Sequence, residues 1–234
     1  MNLRLELSEH NPNTLSNIEE AFARGGAWDR NCGQTQTHLF AKCFHKHIKV
    51  SFTGKFTVLD VGCALGDALL IWHRHYPKAE MFGCDVSETA IARATELYSS
   101  IAKFTRASFE EIKGFYDVIF CSNVLEHFEQ HVEIARELLT HCKVLYVMTP
   151  FAELNNGRPL VPSPQSFHVA SFFEDTFSSL EKECNATVKT KVVRCPVAWS
   201  PSFKSEVMWH MKYLMGLISS PSSPRRQIIY TITR

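Results

Sequence analysis

Between residues 55 and 150 the chain alternates short apolar runs with amphipathic segments, and this alternation restricts the fold more than any other feature. The runs FTVLDVG, AEMFGCD, YDVIFCS and KVLYVMTP, with a shorter one at 101–105, are rich in Val, Ile, Leu, Phe and Tyr and show no clean polar alternation. Strands of that make-up are buried on both faces, so helices must lie above and below a mostly parallel sheet. The segments between them read as those helices: 68–75, stopped by Pro77; one starting after Ser87, an N-cap with Glu88 behind it; and 127–140. The expected class is α/β, a doubly wound sheet.

The flanks complete this frame. Residues 13–49 carry apolar positions at a helical period, broken at Gly25-Gly26. After Pro150 a loop rich in Asn, Gly and Pro leads to a helix expected at 172–183. Segments 186–194 and 227–233 alternate apolar and polar residues, as an antiparallel edge pair would, which brings the sheet to seven strands. An inserted helix fits 205–217. The domain therefore runs from 55 to 234, behind a helical N-terminal cap or lid at 1–54.

A formal net charge of +1, with Arg225-Arg226 (read as a solvated turn) the only basic cluster, argues against a general nucleic-acid binder. No apolar run approaches the ~20 residues of a membrane span, and the N-terminus lacks a secretory pattern. Eight cysteines without a C-x-x-C, and eleven histidines without H-E-x-x-H, suggest a reduced, cytoplasmic chain with neither a disulfide framework nor a metal site.

A doubly wound sheet binds its ligand beyond the carboxyl end of the first strand. There the chain reads Asp60-Val61-Gly62-Cys63-Ala64-Leu65-Gly66. The glycine spacing is G-x-x-x-G, neither the dinucleotide fingerprint nor a P-loop, and Asp60 would repel a pyrophosphate. An acid suits a ligand bearing an ammonium or sulfonium cation. Asp85 ends the second strand, 25 residues after Asp60 and 19 after Gly66, where a carboxylate can accept from both hydroxyls of a ribose. A cationic amino acid joined to adenosine is S-adenosylmethionine.

The blocks VLDVGCALG, GCDVSETAIARA, YDVIFCSNVLEHF and KVLYVMTPF together resemble the successive motifs of class I S-adenosylmethionine-dependent methyltransferases, over residues 55–183. The resemblance implies a Rossmann-like sheet, with S-adenosylmethionine as cofactor and S-adenosylhomocysteine as product. Asp60, Gly62, Cys63 and Gly66 would line the methionine part. Asp85 would hold the ribose with Val86 beside the adenine, Ser108 and Phe109 would flank the adenine ring, and Ser122, Asn123 and Val124 would floor the pocket. Leu125-Glu126-His127 after the fourth strand is the pattern of the small-molecule subtype, which implies O- or N-methylation of a natural-product or sugar intermediate. The chain departs from the family at Ala64, where relatives often have a middle glycine, and at Ala107, where they often have an acid. Adenine recognition there would fall to a backbone amide or to Ser108.

Glu126 and His127, just after the pocket strand, are candidate acid–base groups, and His127 and His168 are the candidate bases for the acceptor's proton, against the alternative that each histidine only caps or packs a helix start. Cys63 reads as a packing residue rather than a nucleophile. Trp28 and the segment around it would close as a lid, with Gln34 or Gln36 reaching the cofactor carboxylate; Phe151, Trp199, Phe203 and Trp209 would roof the acceptor. Three other readings stay open: a non-catalytic binding protein, an NAD(P)-dependent oxidoreductase, and an RNA or protein methyltransferase.

Overall fold

A computed structural model describes residues 13–23, 33–52, 54–155, 157–160, 167–196, 215 and 226–234. Two helices come first, α1 (Leu15–Ala23) and α2 (Gly33–His47). Then β1 (Phe56–Val61), α3 (Asp67–His75), β2 (Ala79–Asp85), α4 (Glu88–Tyr98), β3 (Ala102–Arg106), β4 (Tyr116–Ser122), α5 (His131–Thr140) and β5 (Cys142–Pro150) alternate along the chain. A small hairpin, β6 (Leu154–Asn155) and β7 (Arg158–Pro159), precedes α6 (Ser179–Glu183), β8 (Thr187–Arg194) and β9 (Arg226–Thr233). Seven strands form one sheet in the order β3-β2-β1-β4-β5-β9-β8. β3, β2, β1, β4 and β5 are mutually parallel, and β9 runs antiparallel to both β5 and β8. The strand order turns back at β1, with β2 on one side and β4 on the other, so a crevice opens above their carboxyl ends. This is the expected seven-stranded, Rossmann-like sheet with its antiparallel edge pair.

Both faces of the sheet are covered. On one, Phe44 of α2 and Trp72 of α3 pack on Phe120 and Tyr146, with Trp72 stacked on Phe120 at 4.2 Å. Offset aromatic contacts of this kind add to the area they bury, so α2 is part of the main core. On the other face, Ala135, Leu138 and Leu139 of α5 join Leu180, Phe172, Phe177 and Tyr230. α1 lies outside α4: Phe22 and Ile18 meet Leu65 and Ala90. Glu19 of α1 also accepts hydrogen bonds from the Ser87 hydroxyl at 2.9 Å and the Glu88 amide at 2.6 Å. It thereby satisfies orphan donors at the start of α4, while Ser87 accepts from the Ala90 amide at 3.0 Å, as an N-cap should.

Four expectations change. The segment expected as a helix from 127 enters α5 only at His131, because Leu125–His127 closes a 3-10 turn and Phe128 is extended (φ −125, ψ 130). The Glu126 carbonyl, which would serve a longer helix, instead accepts from the amides of Val169 and Ala170. The helix expected at 172–183 shrinks to α6, since Phe172 bridges to Phe151 and the Phe173 amide turns to the Thr176 hydroxyl at 2.8 Å. Arg226 is not in a turn: it opens β9, with its guanidinium 4.6 Å above the Phe151 ring. Gln36 is buried and donates to the Pro196 carbonyl at 3.2 Å, tying α2 to the end of β8 instead of reaching toward a ligand. Trp28, Trp199, Phe203, Trp209 and nearly all of the helix expected at 205–217 lie outside the described residues.

Candidate functional site

The loop after β1 is shaped by backbone geometry. Gly62 (φ 70), Ala64 (φ 47) and Gly66 (φ 80) all have left-handed backbones. The amides of Gly62 and Cys63 both donate to the Cys84 carbonyl, at 2.9 and 3.0 Å, which folds the loop over the end of β2. A Cβ on Gly62 would stand 2.5 Å from Val124 Cγ2, and one on Gly66 would stand 2.9 Å from the Phe104 ring. Glycine is therefore required at both positions by space as well as by φ. Ala64 takes the same backbone with a Cβ in place, a strain of roughly 1–2 kcal/mol.

Asp60 and Asp85 sit side by side at the ends of neighbouring strands. Asp85 Oδ2 accepts from the Ala64 amide at 2.9 Å and Oδ1 from the Ser87 amide at 3.0 Å. Each oxygen keeps a second lone pair for a ligand hydroxyl. Burial pushes the Asp85 carboxyl up, and the amides of Ser87, Ala64 and Val86 pull it back. Asp60 is 4% exposed and receives no hydrogen bond from a described side chain. Burial, then the charge of Asp85, raises it to about 8. Beside them the Cys63 thiol is pushed well up by burial and by both carboxylates, consistent with its reading as a packing residue. The first turn of α3 carries buried Asp67, which accepts from the Tyr98 hydroxyl at 2.6 Å. This part of the crevice is arranged for a cation and hostile to a phosphate.

On the expected adenine side the backbone amides are already engaged. The Ala107 amide donates to the Asp85 carbonyl, and the Ser108 amide is held by Glu111 at 2.9 Å, so neither is left to read a base. Phe109 is buried in the core, edge-on to Phe128 with ring centroids 5.1 Å apart. The Val86 carbonyl accepts from Arg106 Nε at 3.1 Å.

The end of β4 builds the opposite wall. Ser122 is half-buried, and Asn123 turns the chain with a left-handed backbone (φ 54), its amide donating to the Met148 carbonyl at 2.7 Å. Asn123 Nδ2 donates to Gln227 Oε1 at 3.1 Å. Val124 covers Gly62. The following turn brings Glu126 and His127 against the segment 167–170. Asn13 Nδ2 donates to the carbonyls of both His127 (3.2 Å) and Phe167 (2.9 Å), so the N-terminal segment fastens the two together. His127 Nδ1 lies 2.7 Å from the Phe167 carbonyl, and His168 Nδ1 lies 2.6 Å from Glu153 Oε2. The two imidazoles meet edge to face at 4.9 Å. Burial works against a charge on His168, but its bond to Glu153 and the charges of Glu126 and Glu153 prevail and raise it.

A family model described as a methyltransferase domain matches residues 14–188. The chain belongs to that family. Over 96 residues it is 25% identical to trans-aconitate 2-methyltransferase of Deinococcus radiodurans, a match covering 40% of this chain and 37% of that enzyme. Over 69 residues it is 42% identical to ribosomal RNA small subunit methyltransferase C of Escherichia coli, covering 28% of this chain and 20% of that one. Both matches span well under half of the relative's length. The plantazolicin methyltransferase BpumL, solved in complex with SAH, is similar in structure with a TM-score of 0.55 at 19% identity, over 94% of this chain and 97% of that one. Magnesium protoporphyrin IX methyltransferase from Synechocystis PCC 6803, with bound SAH, gives 0.63 at 12%, over 94% and 100%. At such identities the likeness establishes the fold, that of class I S-adenosylmethionine-dependent methyltransferases.

In this methyltransferase domain the structure gathers Asp60, Gly62, Cys63, Gly66 and Asp85 at one rim and Asn123 and Val124 at the facing one. It brings His127 and His168 together with Glu126 and adds residues that the motifs did not point to: Asn13, Glu19, Glu153 and Gln227. Gln227 is a buried polar residue at the start of a strand, a cue visible in sequence only once that strand is known to be interior.

Proposed function

We propose that this methyltransferase domain binds S-adenosylmethionine across the carboxyl ends of β1 and β2 and methylates an oxygen or nitrogen of a small molecule, releasing S-adenosylhomocysteine. The observation that carries this is the Asp60 carboxyl, buried at the end of β1 with no described side chain bonded to it and next to Asp85. A cationic ligand supplies the missing partner. The left-handed glycine loop leaves room for the amino-acid part, and the spare lone pairs of Asp85 suit a ribose diol. The residues fit the cofactor. Buried Asp67 at the start of α3 speaks against the pyrophosphate of a nicotinamide dinucleotide.

The cofactor supplies a methyl group on a sulfonium, whose departure needs little assistance. The protein's task is to hold the acceptor atom ~3 Å from that carbon and in line. His127 and His168, on the wall beyond Val124, are the groups proposed to ease loss of the acceptor's proton. A small acceptor is supported by the names of similar structures, which concern plantazolicin, magnesium protoporphyrin IX and mitomycin 7-O-methylation. The free thiols among the described residues suit a reduced, cytoplasmic setting, and no described helix is long and apolar enough to cross a membrane.

A second reading is that the chain binds the cofactor without transferring its methyl group; the [4+2]-cyclase SpnF, whose name is not that of a methyltransferase, is similar in structure at a TM-score of 0.60 and 16% identity. Calorimetric titration with S-adenosylmethionine, S-adenosylhomocysteine and NADH, on the protein and on Asp85→Ala, tests the first step. Micromolar binding of the adenosyl ligands, weakened in the variant, is expected; binding of NADH alone would sink the proposal. Methyl transfer from labelled cofactor to a panel of small acceptors then separates the two readings.

A further inference from the structure

One donor atom from each of Glu126, His127 and His168 lies within 4.8 Å of the other two. The three come from two segments some forty residues apart, locked together by the Glu126 carbonyl on the amides of Val169 and Ala170. Each imidazole directs Nδ1 at an oxygen acceptor: the Phe167 carbonyl for His127, the Glu153 carboxylate for His168. A neutral ring that donates from Nδ1 carries its lone pair on Nε2, a metal displaces any proton held there, and a carbonyl or carboxylate behind the ring is how metal-binding histidines are held and made more basic. Glu126 is 1% exposed, and its Oε2 is buried with no hydrogen-bond partner among the described residues. A carboxylate oxygen in that position is costly unless it takes up a proton or a cation comes to it.

We propose that Glu126, His127 and His168 bind one divalent transition-metal cation, with Glu153 and the Phe167 carbonyl orienting the two imidazoles. Two imidazoles and one carboxylate with further positions open form a donor set that suits zinc, manganese or ferrous iron. Donor atoms ~2.0–2.2 Å from such an ion lie about 3 Å from one another, so the three side chains draw together by small rotations when it binds. Val124, two residues before Glu126, touches the cofactor loop at Gly62, which places the ion at the acceptor wall. There the open positions would take an oxygen of the acceptor, hydroxyl or carboxylate, and a bound hydroxyl loses its proton more readily. The histidines then act as ligands and the ion eases proton loss. That acceptor role rests on the methyltransferase reading; the metal site does not.

The test uses the whole chain with any affinity tag removed and stripped with chelator, titrated calorimetrically with zinc and with manganese chloride and assayed for bound metal after dialysis. One equivalent is expected. His127→Ala and His168→Ala, each confirmed folded by its thermal melt, should weaken binding at least tenfold. Glu153→Gln, which keeps the ring's neighbour but not its charge, should weaken it about 10–100-fold. No stoichiometric binding of either metal, or binding unchanged in both histidine variants, overturns the proposal. Titration of the same samples with S-adenosylhomocysteine separates the two readings. Metal without cofactor binding leaves the site standing and removes the acceptor role; cofactor without metal removes the site and leaves the methyltransferase reading.

Discussion

The two walls of the crevice are built in different ways. The wall proposed for the cofactor, at the ends of β1 and β2, comes from two short segments, 60–66 and 84–87, and its geometry is mostly backbone: left-handed glycines, amides on the Cys84 carbonyl, and Asp85 held by the amides of Ala64 and Ser87. The wall proposed for the acceptor is made of side chains from four distant places, around residues 13, 123–127, 153 and 167–170, with Gln227 behind them. A backbone-built wall tolerates little change in shape and serves one ligand. A wall of side chains on turns can be rebuilt around another acceptor without disturbing the sheet.

If that contrast is right, the sharpest damage comes from altering backbone space on the cofactor wall. Gly62→Ala should cost about 2–4 kcal/mol through the clash with Val124 and the left-handed φ, and weaken S-adenosylhomocysteine about a hundredfold. Calorimetry together with a thermal melt reads both effects; unchanged affinity would mean that the loop is not the ligand's seat. Asp85→Ala comes next, at about 1.5–3 kcal/mol of binding, or roughly ten- to hundredfold. Because it also releases two amides, its melting temperature should fall even without ligand.

Across the crevice, Gln227→Ala removes the acceptor of the Asn123 side-chain Nδ2 and should cost about 1–3 kcal/mol of stability. Cofactor affinity should change far less than in Gly62→Ala. A loss of cofactor binding equal to its loss of stability would erase the distinction between the walls.

Asp60 provides a pH-dependent test. Its carboxyl, held at about 8 in the free protein, must lose its proton to pair with a cation. S-adenosylmethionine should therefore bind more tightly as pH rises from 6 to 8, by up to about tenfold per unit, with proton release that Asp60→Asn abolishes. Stability without ligand should move the other way. A carboxyl raised by folding favours the fold below its unfolded value, and that contribution is lost as pH climbs toward 8. The smallest effect is expected at Ala64→Gly: relief of the left-handed strain, offset by the greater freedom of glycine in the unfolded chain, leaves a gain of about 0.5–1 kcal/mol.

Much of the cofactor wall was legible before any coordinates. β2 and β4 match the apolar runs that announced them, and Ser87 caps α4 as its position suggested, because period, capping and turn chemistry act over a few residues. Asp60, Gly62, Gly66 and Asp85 follow from where such strands end. The acceptor side was read one residue at a time: two histidines named as possible bases, with no means of seeing that they share a site with Glu126 or that Glu153 stands behind one of them.

The same limit explains the misplaced elements. The extra turns expected before α5 and α6 obey a helical pattern, yet the Glu126 carbonyl and the Phe172 bridge are claimed by distant partners. Arg226 looked like a surface cation until the strand order placed it beside Phe151. By itself, then, the sequence determined the layered sheet, the loop after β1 and the paired acids, since each depends on neighbours along the chain. Only the tertiary structure decided which polar side chains converge opposite them, because that depends on how β5, β9 and the 167–170 segment pack once the order of the sheet is set.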